Sequence, residues 1–152
     1  MSRWKVGTLL VLVSLAPQAA RAQSDKDAVL SVVKKVFDGM RARDTALMRA
    51  QMDPAARLIG VDPAKGVQAI DPGLWIGGVG KGTGDGPDER IFDPEVRIDD
   101  DIATVWTYYE LWRGPTLSHC GYDAFFLAKT GAGWKVVQVA DSRKTNCTAR
   151  KS

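Results

Sequence analysis

Apolar residues recur at spacings of three and four between residues 25 and 43: Val29, Val32, Val33, Val36, Phe37 and Met40. That spacing lines one face of an α-helix. Ser24 or Asp25 can cap it, and Asp27 stands near its positive end. "RARD" ends the helix. Asp44 is placed to cap a second, short helix over "TALMRAQM", stopped by Asp53-Pro54. "ARLIGVD" then reads as a short strand.

Further along, the period changes to two. "PEVRIDD", "IATVWTYYELW" (102–112), "SHCGYDAFFLAK" and "GWKVVQVADS" are rich in β-branched and aromatic residues, and the turns "RGPT" and "TGAG" separate the last three. Helices first, then a run of strands, predict an α+β domain: N-terminal helices packed on a curved, mainly antiparallel sheet.

Residues 62–90 follow neither period and hold three prolines and most of the glycines. Within them "GGVGKGTGDGP" suggests a phosphate loop, but the spacing refuses it. Gly80-Lys81 is followed by Gly82 rather than Ser or Thr, and Trp75 stands where the first glycine belongs. A mobile surface loop is the expectation, with Trp75 packed beneath it as a lid or as core.

Composition places the chain in a compartment. Its 152 residues suit one domain. Residues 1–22 read as a secretory signal: Arg3 and Lys5, the short apolar run "VGTLLVLVSLA", then the small-x-small site Ala20-Arg21-Ala22. The run is about half the roughly 20 residues that span a bilayer. The domain then covers 23–147, with a tail at 148–152. The signal carries Arg3, Lys5 and Arg21, so the whole net charge of +3 leaves with it. A neutral domain has no footprint for nucleic acid, or for a membrane once the signal is gone. The basic end "RKTNCTARKS" reads as solvated. In an oxidising compartment Cys120 and Cys147 form a disulfide, worth roughly 3 kcal/mol in loop entropy. One histidine and two cysteines are too few for a zinc site, and no metal is expected.

Alternation sorts the strands into two faces. Setting Lys129 opposite Trp134, and Trp112 opposite Ser118, brings Thr107, Tyr109, Asp123 and Gln138 onto one face with Val105, Phe125, Leu127 and Val136. An apolar concavity with a few convergent polar groups is the pattern of a small-molecule site. His119 shares the face with Asp123 but lies roughly 13 Å along the strand, so the two form no dyad and His119 is a rim residue. The other face carries Trp106, Tyr108, Trp112, Tyr122, Phe126, Val137 and Val139. It needs cover, from the protein or from a second copy.

The wording of "IATVW" (102–106), "SHCGYDAFFL" (118–127), "GWKVV" (133–137) and "DSRKTNC" (141–147) resembles the nuclear transport factor 2-like superfamily. Within it, the wording is most similar to the exported lumazine-binding subgroup. The resemblance covers about residues 25–147. It implies a cone-shaped α+β barrel, a pocket between sheet and helices, and a homodimer paired through the sheet's outer face. The superfamily's isomerases use an aspartate base with a tyrosine acid, and its dehydratases a His-Asp pair. The single histidine here has no matching motif around it, and no flavin, pterin or other cofactor motif is present. Three functions follow as expectations: a periplasmic or secreted binder of a small, mostly apolar or aromatic molecule; an isomerase- or cyclase-type enzyme with Asp123 as base and Tyr109 as donor; or a dimeric interaction module without catalysis.

Overall fold

The computed structural model describes residues 16–150. The first helix, α1 (Ala16–Ala42), buries the whole predicted stripe from Val29 to Met40. It does not begin at Ser24 or Asp25. Asp25 instead takes a hydrogen bond from Lys129 Nζ at 2.9 Å, so its carboxylate ties the helix to the sheet and caps nothing. The signal reading falls mostly outside the described residues, and residues 16–22 form the first turns of α1.

α1 closes with a paired 6→1 and 5→2 hydrogen-bond motif: Asp44 N donates to Gly39 O, and Arg43 N to Met40 O. The left-handed position in that motif usually belongs to glycine. Here Arg43 occupies it, at φ 54°. Its guanidinium offsets the strain by donating to Val79 O, Thr83 O, Gly84 O and Asp85 O, at 2.6–3.0 Å. Asp44 then caps α2 (Thr45–Gln51) by accepting from Leu47 N, as its position predicted.

β1 (Met52–Asp62) is longer than the strand read from "ARLIGVD" and turns back into β2 (Gly66–Ile70). A helix, α3 (Pro72–Lys81), follows where the glycine content predicted a loop. Its ends explain it. Asp71 accepts from Leu74 N, Pro72 fits the first turn, and Arg43 holds Val79 O near the C-terminal end. The glycines after α3 make room for this clamp. A Cβ on Gly82 would strike the Arg43 guanidinium, and one on Gly86 would strike the carbonyls of Met40 and Arg41.

β3 (Asp88–Asp99), β4 (Ile102–Arg113), β5 (Thr116–Thr130) and β6 (Gly133–Ser142) complete a six-stranded sheet in the order β2-β1-β6-β5-β4-β3. Every pairing is antiparallel except β1 with β6. The α+β expectation holds. The sheet curves around α1 but stays open, with β2 and β3 at its edges, so the barrel does not close. α1 lies across the inner face, where Phe37 meets Phe125 edge-on at 5.8 Å. Cys120 and Cys147 are joined in the predicted disulfide. The tail is not a free end. Arg150 N donates to Glu110, and its guanidinium reaches Asp93 and lies 4.2 Å over the Tyr108 ring.

Candidate functional site

The β4–β5 pairing keeps one register from Ile102 to Leu111: Thr107 faces Asp123, Tyr109 faces Gly121, and Leu111 faces His119. A bulge then pairs Trp112 with Leu117, not with Ser118, but it comes after the polar residues and leaves them in place. In β6 a bulge comes earlier. Lys129 faces Trp134 and Leu127 faces Val136 as expected, but Phe126 takes Gln138 and Phe125 takes Val139. One extra residue reverses the faces beyond it. Gln138 therefore turns outward, away from the site, and Val139 and Asp141 turn inward. Val139 leaves the outer aromatic face to which alternation assigned it.

Between α1, α3 and the inner face of the sheet lies a cavity of about 670 Å³. Phe37 and Met40 of α1, Leu74 and Trp75 of α3, and Phe125 and Val139 of the sheet supply apolar wall. Leu74 is 79% exposed and stands at the mouth. Trp75 lines the cavity from α3 and, half-buried, also packs against the core. Thr107 does not reach it. Its Oγ1 donates to Phe92 O at 2.9 Å, and the residue is wholly buried.

The polar end holds Glu89, Tyr109, His119, Asp123, Asp141 and Arg143. Asp123 is 2% exposed, and its Oδ2 is buried with no hydrogen-bond partner. Glu89, placed on the inner face by its pairing with Leu111, brings its carboxyl against that of Asp123. Two carboxyl oxygens can hydrogen-bond only when one carries a proton. Burial, and then the Glu89 charge, hold the Asp123 carboxyl well above the usual range. Burial likewise pushes Glu89 up to about 7, against the bond from Asp123. Two adjacent carboxyls raised in this way share a proton between them.

The remaining polar groups are committed. Tyr109 OH donates to Ser142 O at 3.0 Å, and burial raises its pKa further. Gly121 lets these strands meet, since a Cβ there would run into Ser142 O. Arg143 pairs with Asp141 at 3.2 Å. His119 contacts Ser118 Oγ through Nδ1 at 3.1 Å, and burial, then Arg143, lower its pKa toward the neutral ring. Among the described residues no three His, Cys, Asp or Glu side chains are grouped to hold a metal ion.

Of the sequence candidates, Trp75, Tyr109, His119 and Asp123 come together at the cavity, and Thr107 and Gln138 do not. Glu89, Asp141 and Arg143 were missed. Glu89 lay in the segment without a period, and "DERIF", three polar residues followed by two apolar ones, gave no alternation by which to read its strand.

No family model and no curated protein matches the chain. Solved structures do. An NTF2-like protein of unknown function from Shewanella baltica superposes with a TM-score of 0.64 at 17% identity, over 80% of this chain and 95% of that one. An NTF2-like protein with a cystatin-like fold from Novosphingobium aromaticivorans gives 0.69 at 14% identity, over 90% and 94%. A protein of unknown function with a cystatin-like fold from Nostoc punctiforme gives 0.66 at 12%, over 81% and 93%. The likeness is one of fold: nuclear transport factor 2-like and cystatin-like.

Proposed function

We propose that this chain is an exported or periplasmic domain that binds a small, mostly apolar molecule in the cavity beneath α3, without transforming it. The observation that carries the reading is Asp123: a buried carboxyl that no protein donor reaches and whose close partner is a second acid, Glu89, at the polar end of a cavity with apolar walls beyond it. Buried polar groups in native proteins usually meet built-in donors, and a ligand entering from the mouth can supply them here. The enzymatic alternative is weaker on the same geometry. A general base must be ionised near working pH, whereas Asp123 is held above the usual carboxylate range by burial and by Glu89, and the Tyr109 hydroxyl is engaged in donating to a backbone carbonyl.

The disulfide supports an oxidising compartment, and among the described residues no helix is long and apolar enough to cross a membrane. The sequence resemblance to the exported lumazine-binding subgroup points the same way. We place a second copy on the outer face of the sheet, where Ile102, Trp106 and Phe126 are 52%, 50% and 38% exposed. Native mass spectrometry of the protein, purified gently from an exporting host, reads both features. A dimer retaining a small molecule is expected. A ligand-free spectrum, with no shift in melting temperature across a library of apolar compounds, sinks the binding reading.

A further inference from the structure

The acid pair at the end of the cavity lacks what such pairs usually have. Glu89 and Asp123 come from different strands, both line the cavity, and no donor reaches the buried Asp123 Oδ2. Glu89 is half-buried, with its carboxyl beside that of Asp123 at the cavity wall. Among the described residues neither carboxyl forms a salt bridge. The bases nearby are placed otherwise. Arg143 holds Asp141, Arg43 holds the carbonyls after α3, and Arg113 is exposed at the rim. His119 is directed to Ser118, and the Tyr109 hydroxyl to Ser142 O.

Two carboxyls pressed together without a cation keep a proton between them, because two adjacent charges in a poorly solvated site repel strongly. A group that brings several donors and a positive charge can replace that proton. Beyond this polar end the walls are apolar and aromatic, with Phe37, Met40, Leu74, Trp75 and Phe125, which suits a hydrocarbon body.

We propose that the cavity takes a molecule with a protonated amine or amidine head and an apolar body, its head seated between Glu89 and Asp123. This rests on the small-molecule reading above and gives it a chemical class. An ammonium group offers three donors, enough for both carboxyls at once. An alcohol of the same shape can satisfy Asp123 but leaves the charge of Glu89 unpaired. A carboxylate meets like charge. Binding the cation displaces the shared proton, so affinity rises with pH as Glu89 ionises. Asp141 and Arg143, the nearest charged groups on the adjoining strand, are paired with each other and largely cancel. His119, already tending to neutral, and Tyr109, held protonated, add little charge across that range.

The test is calorimetric titration of the whole protein with phenylbutylamine, phenylbutanol and phenylbutanoate, at about pH 5.5 and about pH 8. The amine is expected to bind roughly tenfold or more tightly than the alcohol at the higher pH, and to lose roughly tenfold or more at the lower. Glu89→Gln should erase both differences while still unfolding in a single cooperative transition. Amine binding unchanged in Glu89→Gln would place the head elsewhere and overturn the proposal. An alcohol or carboxylate that binds as tightly as the amine overturns the ligand class and leaves the cavity reading standing. No binding by any of the three removes this proposal, and a silent apolar library then removes the cavity reading with it.

Discussion

Two carboxyl groups in this protein are almost equally hidden and very differently treated. Glu110, 1% exposed, sits on the outer side of β4, and both of its oxygens are occupied: Trp112 Nε1 donates to one at 3.1 Å and Arg150 N to the other at 2.6 Å. Asp123, 2% exposed, sits on the inner side of β5 and has only another acid beside it. Glu110 is a joint. It fastens the C-terminal tail over Tyr108, next to the stacked pair of Trp106 and Tyr122. Asp123 carries the same chemistry without built-in donors. Burial alone therefore does not separate a structural carboxyl from a binding one; the accounting of donors does.

The largest expected break in this contrast is at the disulfide that holds the tail. Replacing Cys120 and Cys147 together by alanine should cost roughly 3 kcal/mol, from the restored loop entropy, read as a shift in the urea midpoint. With the tail released, Glu110 loses the donor from Arg150. The next effect is Glu110→Ala, expected to cost about 2 kcal/mol, because two donors lose a buried acceptor. Its cost should shrink in the disulfide-free background, since the two changes break one joint. Strictly additive costs would mean that the tail does not depend on the bridge.

The acid pair gives a smaller effect of definite sign. Folded, Glu89 keeps its proton up to about 7; its ordinary value is 4.5. Between these values the folded state binds more protons than the unfolded one. The stabilising contribution is therefore fully present below the lower value and is lost as pH rises through the upper. Unfolding free energies, taken as wild type minus the double variant Glu89→Gln/Asp123→Asn, should fall by on the order of 1–2 kcal/mol across that window. The subtraction removes His119, whose lowered pKa acts in the opposite direction. A flat difference would mean that the carboxyls are well solvated.

How much of this was legible in the sequence follows from where each determinant lies. The α1 stripe and the β4–β5 alternation are local and unbroken over the residues that matter, so the helix face and the partners of Asp123, Gly121 and His119 could be read directly. The β6 bulge could not. Nothing in "VVQV" says which residue is unpaired. β6 is gripped on both sides there, by β5 and by β1, whose own register also shifts between Met52 and Arg57. Gln138 and Val139 exchanged faces for that reason. α3 was hidden because its stabilising contact comes from Arg43, 36 residues before Val79. Glycines that read as flexibility are in part clearance for that guanidinium. The tail is exposed, as its charge predicted, but it is also anchored, through the Arg150 backbone N–H and a ring face, neither of which charge counting sees.

The smallest effect tests the contrast most directly. Asp123→Asn keeps shape and volume and removes one acid from the pair. At about pH 8 the wild-type acid pair holds at least one charge with no salt bridge to it among the described residues, so the asparagine should leave the protein as stable or more so, by less than about 1 kcal/mol. At about pH 5 both acids are protonated and the change should vanish. Glu110→Gln is the matching control: it exchanges an acceptor for a donor directed at Trp112 Nε1 or Arg150 N, and should destabilise at both pH values. If Asp123→Asn instead costs as much as Glu110→Gln, Asp123 has donors in solution, the two carboxyls are of one kind, and the cavity loses the group on which its reading as a binding site rests.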